Sequence, residues 1–248
     1  MDGQGVKTCL NCEAELIGAY CHKCGQSAKV RRLAFLETMQ DFFSSSFALE
    51  GPLFKTIKLL IVNPGLLFRE YVAGRRKKYY RPVAFFVLLT ALYIIVRSVI
   101  NYDPFEHNPL PTNVPESRKK LIDAARFMVK NINNILFTLV LSIAIFQKLF
   151  FFRRYNFTEY LTMSFYMVGI YILFGTLVAF FSTYVYPVNA NINLVFMFFL
   201  LVYNAYSLHR SRSFWSFLRY PIVSVLSILG YMAMGYGLSF LIVYLRDA

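Results

Sequence analysis

The sequence predicts an all-α polytopic membrane protein with about five transmembrane helices, preceded by interfacial amphipathic helices and a small N-terminal zinc ribbon. Three observations predict this fold. Of the 248 residues, 57% are hydrophobic and 18% are aromatic, more than a soluble core of this size requires. Apolar stretches follow residue 81, each near the roughly 20 residues that cross a ~30 Å hydrocarbon core. All four cysteines lie within the first 24 residues.

The N-terminal segment, residues 1–30, carries the strongest chemical motif. Two C-x-x-C pairs, Cys9-Leu10-Asn11-Cys12 and Cys21-His22-Lys23-Cys24, are separated by eight residues. A two-residue spacer lets one tight turn offer two thiolates from the same side, and two such turns complete a tetrahedral shell. We therefore predict one structural zinc ion per chain, with Cys9, Cys12, Cys21 and Cys24 as its ligands. A closed four-sulfur shell leaves no open position for catalysis.

Other uses of these cysteines compete with zinc. Two disulfides would suit an oxidising compartment, which disagrees with the cytoplasmic side predicted below. A redox-active C-x-x-C pair usually lies in a thioredoxin-like pattern of strands and helices, which does not surround these cysteines. An iron–sulfur cluster is also a four-thiolate site, but compact paired knuckles favour zinc. His22 could replace one cysteine as a ligand, although we expect it to face solvent.

Residues 31–81, which we call the collar, are predicted to lie along the membrane surface. The segment Leu33–Glu50 has apolar residues at three- and four-residue spacing, as an amphipathic helix does. Pro52 opens a second helix, Asn63-Pro64-Gly65 ends it, and a third helix runs from Leu66 to Ala73. A soluble helical hairpin with its own core is the alternative. The apolar faces beside a membrane span favour helices in the headgroup region.

A basic run immediately precedes the first span. We predict that Arg75, Arg76, Lys77 and Lys78 bind anionic lipid headgroups, at about 1 kcal/mol per residue near the surface. The net charge of +13 could also indicate a nucleic-acid partner. However, the cations flank apolar stretches, which is how membrane proteins distribute charge. We therefore expect a bilayer partner and no nucleic acid.

The transmembrane domain is predicted over residues 82–248. Its apolar stretches cover residues 82–100, 132–152, 160–185, 192–208 and 220–245. The fourth stretch is the shortest and could be re-entrant. In the short flanks we count eleven Lys and Arg residues on the ribbon side of the spans and six on the other side. The positive-inside rule then places the N-terminus in the cytoplasm.

Ionisable residues inside membrane spans usually indicate transport or catalysis. Within the five apolar stretches only Arg97 and Lys148 are ionised, and both lie near an end where snorkelling accounts for them. No Asp or Glu lies deep in a span, so a proton relay or an intramembrane hydrolase would lack its usual groups. We therefore expect that the protein is not an enzyme.

A string of motifs in the collar is similar to a known family. It consists of Asn63-Pro64-Gly65, Arg69-Glu70-Tyr71 and the run from Gly74 through Tyr79-Tyr80-Arg81-Pro82, after a ribbon that ends Cys-Gly-Gln. This combination resembles an uncharacterised bacterial zinc-ribbon membrane-protein family, of the domain of unknown function 3667 type. The resemblance covers roughly residues 1–100, and the later spans agree only in hydropathy. It implies a bacterial inner-membrane protein with no assigned activity.

Two functional hypotheses follow from these patterns. The first is a membrane-anchored binding or scaffold module, in which the ribbon recruits a protein partner of unknown identity. The second is a transporter, a channel or a lipid-handling subunit, which the glycines of the third and fifth spans would suit by allowing close helix packing. A cavity among the spans would distinguish the second hypothesis from the first.

Overall fold

A computed structural model describes residues 8–30, 51–102, 115–189, 191–209 and 214–246. Within these ranges the chain is helical apart from the ribbon, whose pairing consists of two isolated antiparallel bridges. The predicted helix over Leu33–Glu50 lies outside the described residues. The helices are α1 (Gly51–Val62), α2 (Pro64–Val72), α3 (Pro82–Val99), α4 (Glu116–Lys130), α5 (Ile132–Phe150), α6 (Phe157–Tyr184), α7 (Asn191–His209) and α8 (Phe214–Arg246).

Four of these helices are long and apolar enough to cross a membrane: α3, α6, α7 and the Phe217–Arg246 part of α8. The apolar part of α5, Ile135–Phe150, is shorter. This arrangement confirms the predicted all-α membrane fold. The fourth predicted stretch, residues 192–208, forms a continuous helix within α7.

Helices α3 and α6 begin at local sequence signals, whereas α8 does not. Pro82 opens α3 as predicted, because a proline at the first helical position loses no hydrogen bond. Helix α6 begins earlier than residue 160, because Asn156 and Glu159 form a capping box. Helix α8 begins at Phe214 instead of residue 220 and contains Pro221 in its interior. The predicted start of this span, residue 220, therefore lies inside the helix.

Four helices form a ring in the order α5, α6, α7 and α8, with α8 closing on α5. Helix α3 packs against α6, and α4 packs against α8. Helices α1 and α2 lie at one end, where α2 contacts α7 and α1 contacts α6. The ribbon lies at the same end, which we call the ribbon end. The opposite end is the far end.

Burial is unequal along the helices. In α3 the buried side chains run from Pro82 to Leu89, whereas Ile95 is 60% exposed and Val99 is 73% exposed. In α6 every side chain from Glu159 to Ile170 is buried, and exposed aromatic side chains follow towards Tyr184. In α3 and α6 the ribbon-end half is therefore closely packed, while the far-end half exposes apolar side chains, as lipid-facing surfaces do.

The apolar faces of α1 and α2 pack mainly against the other helices. Leu53 and Leu60 of α1 and Leu67 and Phe68 of α2 belong to the core of the helical domain. The apolar face predicted for α1 is divided, because Phe54 is 71% exposed and lies outside this core. The predicted position of these helices at the membrane surface stays a prediction, but most of the face that would enter the lipid is covered by protein.

Helix α8 is the longest element, with 33 residues. Both α4 and α5 pack along it. Near its C-terminal end, the Tyr236 hydroxyl donates to the carbonyl of Leu121 at 3.1 Å, and the Lys120 ammonium lies 5.0 Å from the Tyr244 ring centre. The two helices α4 and α8 therefore form a pair at the far end.

Candidate metal centre and its docking site

The structure brings together all four predicted metal ligands. The sulfurs of Cys9 and Cys24 are 3.6 Å apart, those of Cys12 and Cys21 are 3.5 Å apart, and all four lie within 4.8 Å of one another. Four sulfurs at ~2.3 Å from a tetrahedral zinc ion are about 3.8 Å apart. The four cysteines are free thiols, so no disulfide joins them. This donor set fits a metal ion with tetrahedral sulfur coordination.

The two knuckles, Cys9–Glu15 and Cys21–Ser27, repeat one backbone pattern. In each, the N–H of the first cysteine donates to the carbonyl five residues later, and its carbonyl accepts the N–H four residues later, at 2.8–2.9 Å. An antiparallel bridge joins the residues that flank this turn. The residue after the second cysteine has a positive φ, 62° at Glu13 and 69° at Gly25. The ligand geometry is therefore built twice from local backbone hydrogen bonds.

Backbone donors favour the ionised form of one ligand. The N–H groups of Cys24 and Lys23 lower the pKa of the Cys21 thiol to about 6. Thiolates, not thiols, bind metals, so this turn prepares the ligand for coordination. His22 is exposed and does not belong to the ligand cluster found among the described residues.

The second knuckle docks on the turn between α2 and α3. The side-chain amide of Gln26, which is buried, donates to the carbonyl of Gly74 at 2.8 Å and accepts the N–H of Lys77 at 3.3 Å. Gly74 has a φ of 101°, and a Cβ there would lie 2.9 Å from Leu10 and 3.1 Å from Val30. Only glycine fits this conformation and this close approach. The ribbon is therefore fixed to the helical domain through a residue two positions after a metal ligand.

Two of the four cations predicted to bind headgroups form ion pairs inside the protein. The Glu70 carboxylate accepts from Lys78 at 2.9 Å, from Arg75 at 3.3 Å and from the Tyr79 hydroxyl. Burial raises the pKa of Glu70, but the Tyr79 hydroxyl and the nearby Lys78 and Arg75 outweigh burial and hold this pKa below its usual value. The basic run is therefore partly neutralised by its own chain. Its binding to headgroups stays a prediction.

The motif Asn63-Pro64-Gly65 forms a junction between α2 and the end of α7. The Asn63 side chain caps α2 by accepting the N–H of Leu66 at 3.1 Å, and it accepts the Ser207 hydroxyl at 3.0 Å. The Gly65 N–H donates to the Ser207 hydroxyl at 3.0 Å, and a Cβ on Gly65 would lie 2.1 Å from the Ser207 carbonyl oxygen. Arg69 donates to the same carbonyl at 2.9 Å. The motif therefore positions two helices, and Ser207 is its partner that sequence reasoning missed.

A second junction ties the start of α3 to α6. The Tyr166 hydroxyl donates to the carbonyl of Tyr80, and Tyr166 is fully buried. The Tyr80 N–H donates to the Thr56 hydroxyl at 2.9 Å, which links the same turn to α1. Tyr71 packs edge-on against Tyr166 with ring centres 5.8 Å apart. The side chains of Tyr166, Tyr71 and Thr56 and the backbone of Tyr80 therefore fix the start of α3 against α1 and α6.

Part of the chain matches a known family. Residues 50–94 match the sequence model of a family described as "Protein of unknown function (DUF3667)". The matched segment contains α1, α2, the turn after α2 and the buried half of α3, and it confirms the resemblance predicted from the sequence. The ribbon lies outside the match. No curated protein and no solved structure matches the chain.

Proposed function

We propose that this DUF3667-type membrane protein is a membrane-anchored binding module, whose metal-bound ribbon presents a fixed surface to a protein partner. The observation that carries the proposal is the docking of the ribbon through Gln26, which leaves the segment between the knuckles outside the contact. On that segment Ile17 is 85% exposed and Tyr20 is 69% exposed. Large apolar side chains held in a defined position are typical anchors for a partner.

Zinc is the metal that we assign to this site. Paired C-x-x-C turns close four thiolates around an ion that prefers tetrahedral sulfur coordination, and no position stays open for a substrate. The metal would therefore act by folding the ribbon, since a segment this small has little core of its own. Its binding residues are Cys9, Cys12, Cys21 and Cys24.

The ribbon end is assigned to the cytoplasmic face of the inner membrane. This assignment rests on the excess of Lys and Arg in the short connections at this end. In this orientation Arg75, Arg76, Lys77 and Lys78 lie near anionic headgroups, where the charge that Glu70 does not neutralise would add surface attraction.

Elemental analysis of the purified full-length protein tests the metal. We expect one zinc ion per chain, and none in the Cys21→Ser variant. Cysteine labelling of intact and permeabilised cells after chelation tests the orientation, and we expect labelling only when the cytoplasm is accessible. A zinc-free protein, or labelling from outside, would overturn the respective assignment.

Photo-crosslinking from the ribbon in cells tests the binding role. A crosslinking amino acid at Ile17 should give a discrete adduct, and the Tyr20→Ser substitution should abolish it because both side chains belong to the same surface. The matched control is the same amino acid at Glu15, which is exposed but polar. Equal adducts from positions 15 and 17, or none from either, would contradict the proposal.

A further inference from the structure

A cavity of about 310 Å³ lies where the ribbon meets the helical domain. Three separate parts of the chain line it. The ribbon contributes Leu10 and Val30, the end of α2 contributes Val72 and Ala73, and the connection into α6 contributes Arg154, Tyr155 and Glu159. The cavity therefore exists only while the ribbon is docked.

The lining has an apolar side and a charged side. The four residues from the ribbon and from the end of α2 have aliphatic side chains. On the other side, the Arg154 guanidinium donates to the carbonyl of His209 at 2.8 Å, which uses one of its five N–H donors. This bond restricts the guanidinium and leaves its other N–H donors for a ligand.

The acidic residue of the lining is held inside the protein. Glu159 is 1% exposed, and its carboxylate accepts the N–H of Asn156 at 2.7 Å in the capping box of α6. Arg154, in contrast, is exposed. The exposed charge among the lining residues is therefore the one on Arg154.

We propose that this cavity binds the phosphate group of an amphiphile, with the guanidinium of Arg154 on the phosphate and the aliphatic side on the adjoining chain. Arginine binds phosphate oxygens through two parallel N–H bonds, which gives both charge and geometry. An aliphatic wall beside a single cation matches a phosphate that carries apolar groups better than it matches a free ion. A lipid headgroup and a soluble phosphate are the two sources of this chemistry.

Ligand binding here is linked to metal binding, because two lining residues belong to the ribbon and the metal folds the ribbon. A ligand that requires the docked ribbon must bind the metal-free protein less tightly, and the ligand must in turn tighten metal binding by the same factor. This linkage rests on the metal assignment in the proposed function. The phosphate site itself rests on the geometry of the cavity.

Titration calorimetry on the full-length protein in detergent tests the site with two probes, dihexanoyl phosphatidic acid and inorganic phosphate. The matched variants are Arg154→Gln and Arg153→Gln. Both arginines are exposed neighbours, but Arg153 does not line the cavity and its guanidinium lies 5.3 Å from the Phe152 ring centre. We expect Arg154→Gln to weaken the binding of phosphatidic acid at least tenfold. Arg153→Gln should change this affinity less than twofold.

A third variant keeps the test independent of the bond from Arg154 to His209. Ala73 is exposed and lines the cavity, so Ala73→Phe fills the aliphatic side without touching the core. This substitution should weaken the binding of phosphatidic acid and leave the thermal unfolding temperature unchanged. Equal losses in the Arg153 and Arg154 variants, or no saturable binding to the wild type, would overturn the proposal. If inorganic phosphate binds as tightly as the phosphatidic acid, the proposal of an amphiphilic ligand is wrong and the site binds a soluble anion.

Chelation separates the two proposals. If the protein holds zinc and chelation weakens the binding of phosphatidic acid at least tenfold, the linkage is supported. If chelation leaves the affinity unchanged while Arg154→Gln abolishes it, the linkage is wrong and the phosphate site stands. A zinc-free protein that still distinguishes Arg154→Gln from Arg153→Gln would count against the proposed function alone.

Discussion

The ribbon-end half and the far-end half of the helical domain are built by different interactions. At the ribbon end, hydrogen bonds join neighbouring elements, such as Tyr166 to Tyr80 and Arg154 to His209, and Gly65 brings two backbones into contact. At the far end, α3 and α6 expose apolar side chains such as Ile95 and Phe180. Lipid is as apolar as these side chains, so it gives the helices no hydrophobic reason to associate. The arrangement of α3 and α6 is therefore set mainly at the ribbon end.

Glycine substitutions should separate the two halves most strongly. Gly65→Ala should destabilise the protein by about 3 kcal/mol, because its Cβ would lie 2.1 Å from the Ser207 carbonyl oxygen and backbone cannot move aside easily. Gly175→Ala in the far half of α6 meets no atom within 4 Å. It should leave stability unchanged or raise it by about 0.5–1 kcal/mol through helix propensity. Denaturant unfolding in detergent measures both, and equal effects would refute the contrast.

Tyrosine hydroxyls provide the next test. Tyr166→Phe leaves the carbonyl of Tyr80 without its side-chain donor in a buried place, which should cost about 2 kcal/mol. The far-end counterpart, Tyr184, is 62% exposed, and Tyr184→Phe should change stability by less than about 0.5 kcal/mol. Thermal unfolding of the two variants and of the wild type measures both stability changes. A larger loss from Tyr184 than from Tyr166 would show that the far end is the more tightly specified half.

Acidic residues should show a smaller difference that depends on pH. Glu70→Gln should cost about 1.5 kcal/mol at pH 7, because Lys78, Arg75 and Tyr79 lose a charged acceptor. Since the pKa of Glu70 lies below its ordinary value of 4.5, its contribution is complete above that value and is lost as the pH falls through the folded pKa. Wild type and variant should therefore converge in acid. The exposed pair of Asp123 and Arg126 in α4 supplies the control, and Asp123→Asn should cost less than about 0.5 kcal/mol.

The smallest effect is expected for the ribbon contact. Gln26→Ala removes two hydrogen bonds to the turn after α2 and should weaken docking by about 1 kcal/mol, without loss of the metal. Hydrogen exchange at the Lys77 N–H should accelerate, and chelation of the wild type should give the same change. Unfolding of the helices themselves should be unaffected. If it shifted as far as in Tyr166→Phe, the ribbon would be part of the core and not a docked unit.

Local signals made part of this structure predictable. The ligand set follows from cysteine spacing, because each C-x-x-C turn is closed by hydrogen bonds within six consecutive residues. The start of α3 follows from Pro82, whose ring fixes the first helical φ. Both depend only on neighbours in the chain.

Long-range contacts were not predictable in the same way. Ser207 meets Gly65 across 142 residues, and nothing in either segment identifies the other. The periodicity of α1 predicts an apolar face, but it cannot distinguish lipid from protein as the cover of that face. The charge of the basic run beside a membrane span predicts a headgroup site. It does not show that the end of α2 brings the Glu70 carboxylate to Arg75 and Lys78.

The length of α8 makes the position of this protein in the membrane depend on bilayer thickness. A helix of 33 residues is about 50 Å long, whereas a typical hydrocarbon core is ~30 Å thick. The excess must be absorbed by tilt or by projection from the membrane. At the far end α4, with exposed Arg118 and Lys119, packs on α8 and favours a position in water. Hydrophobic mismatch would thus move the α4–α8 pair, and membranes of different thickness would hold this molecule at different depths.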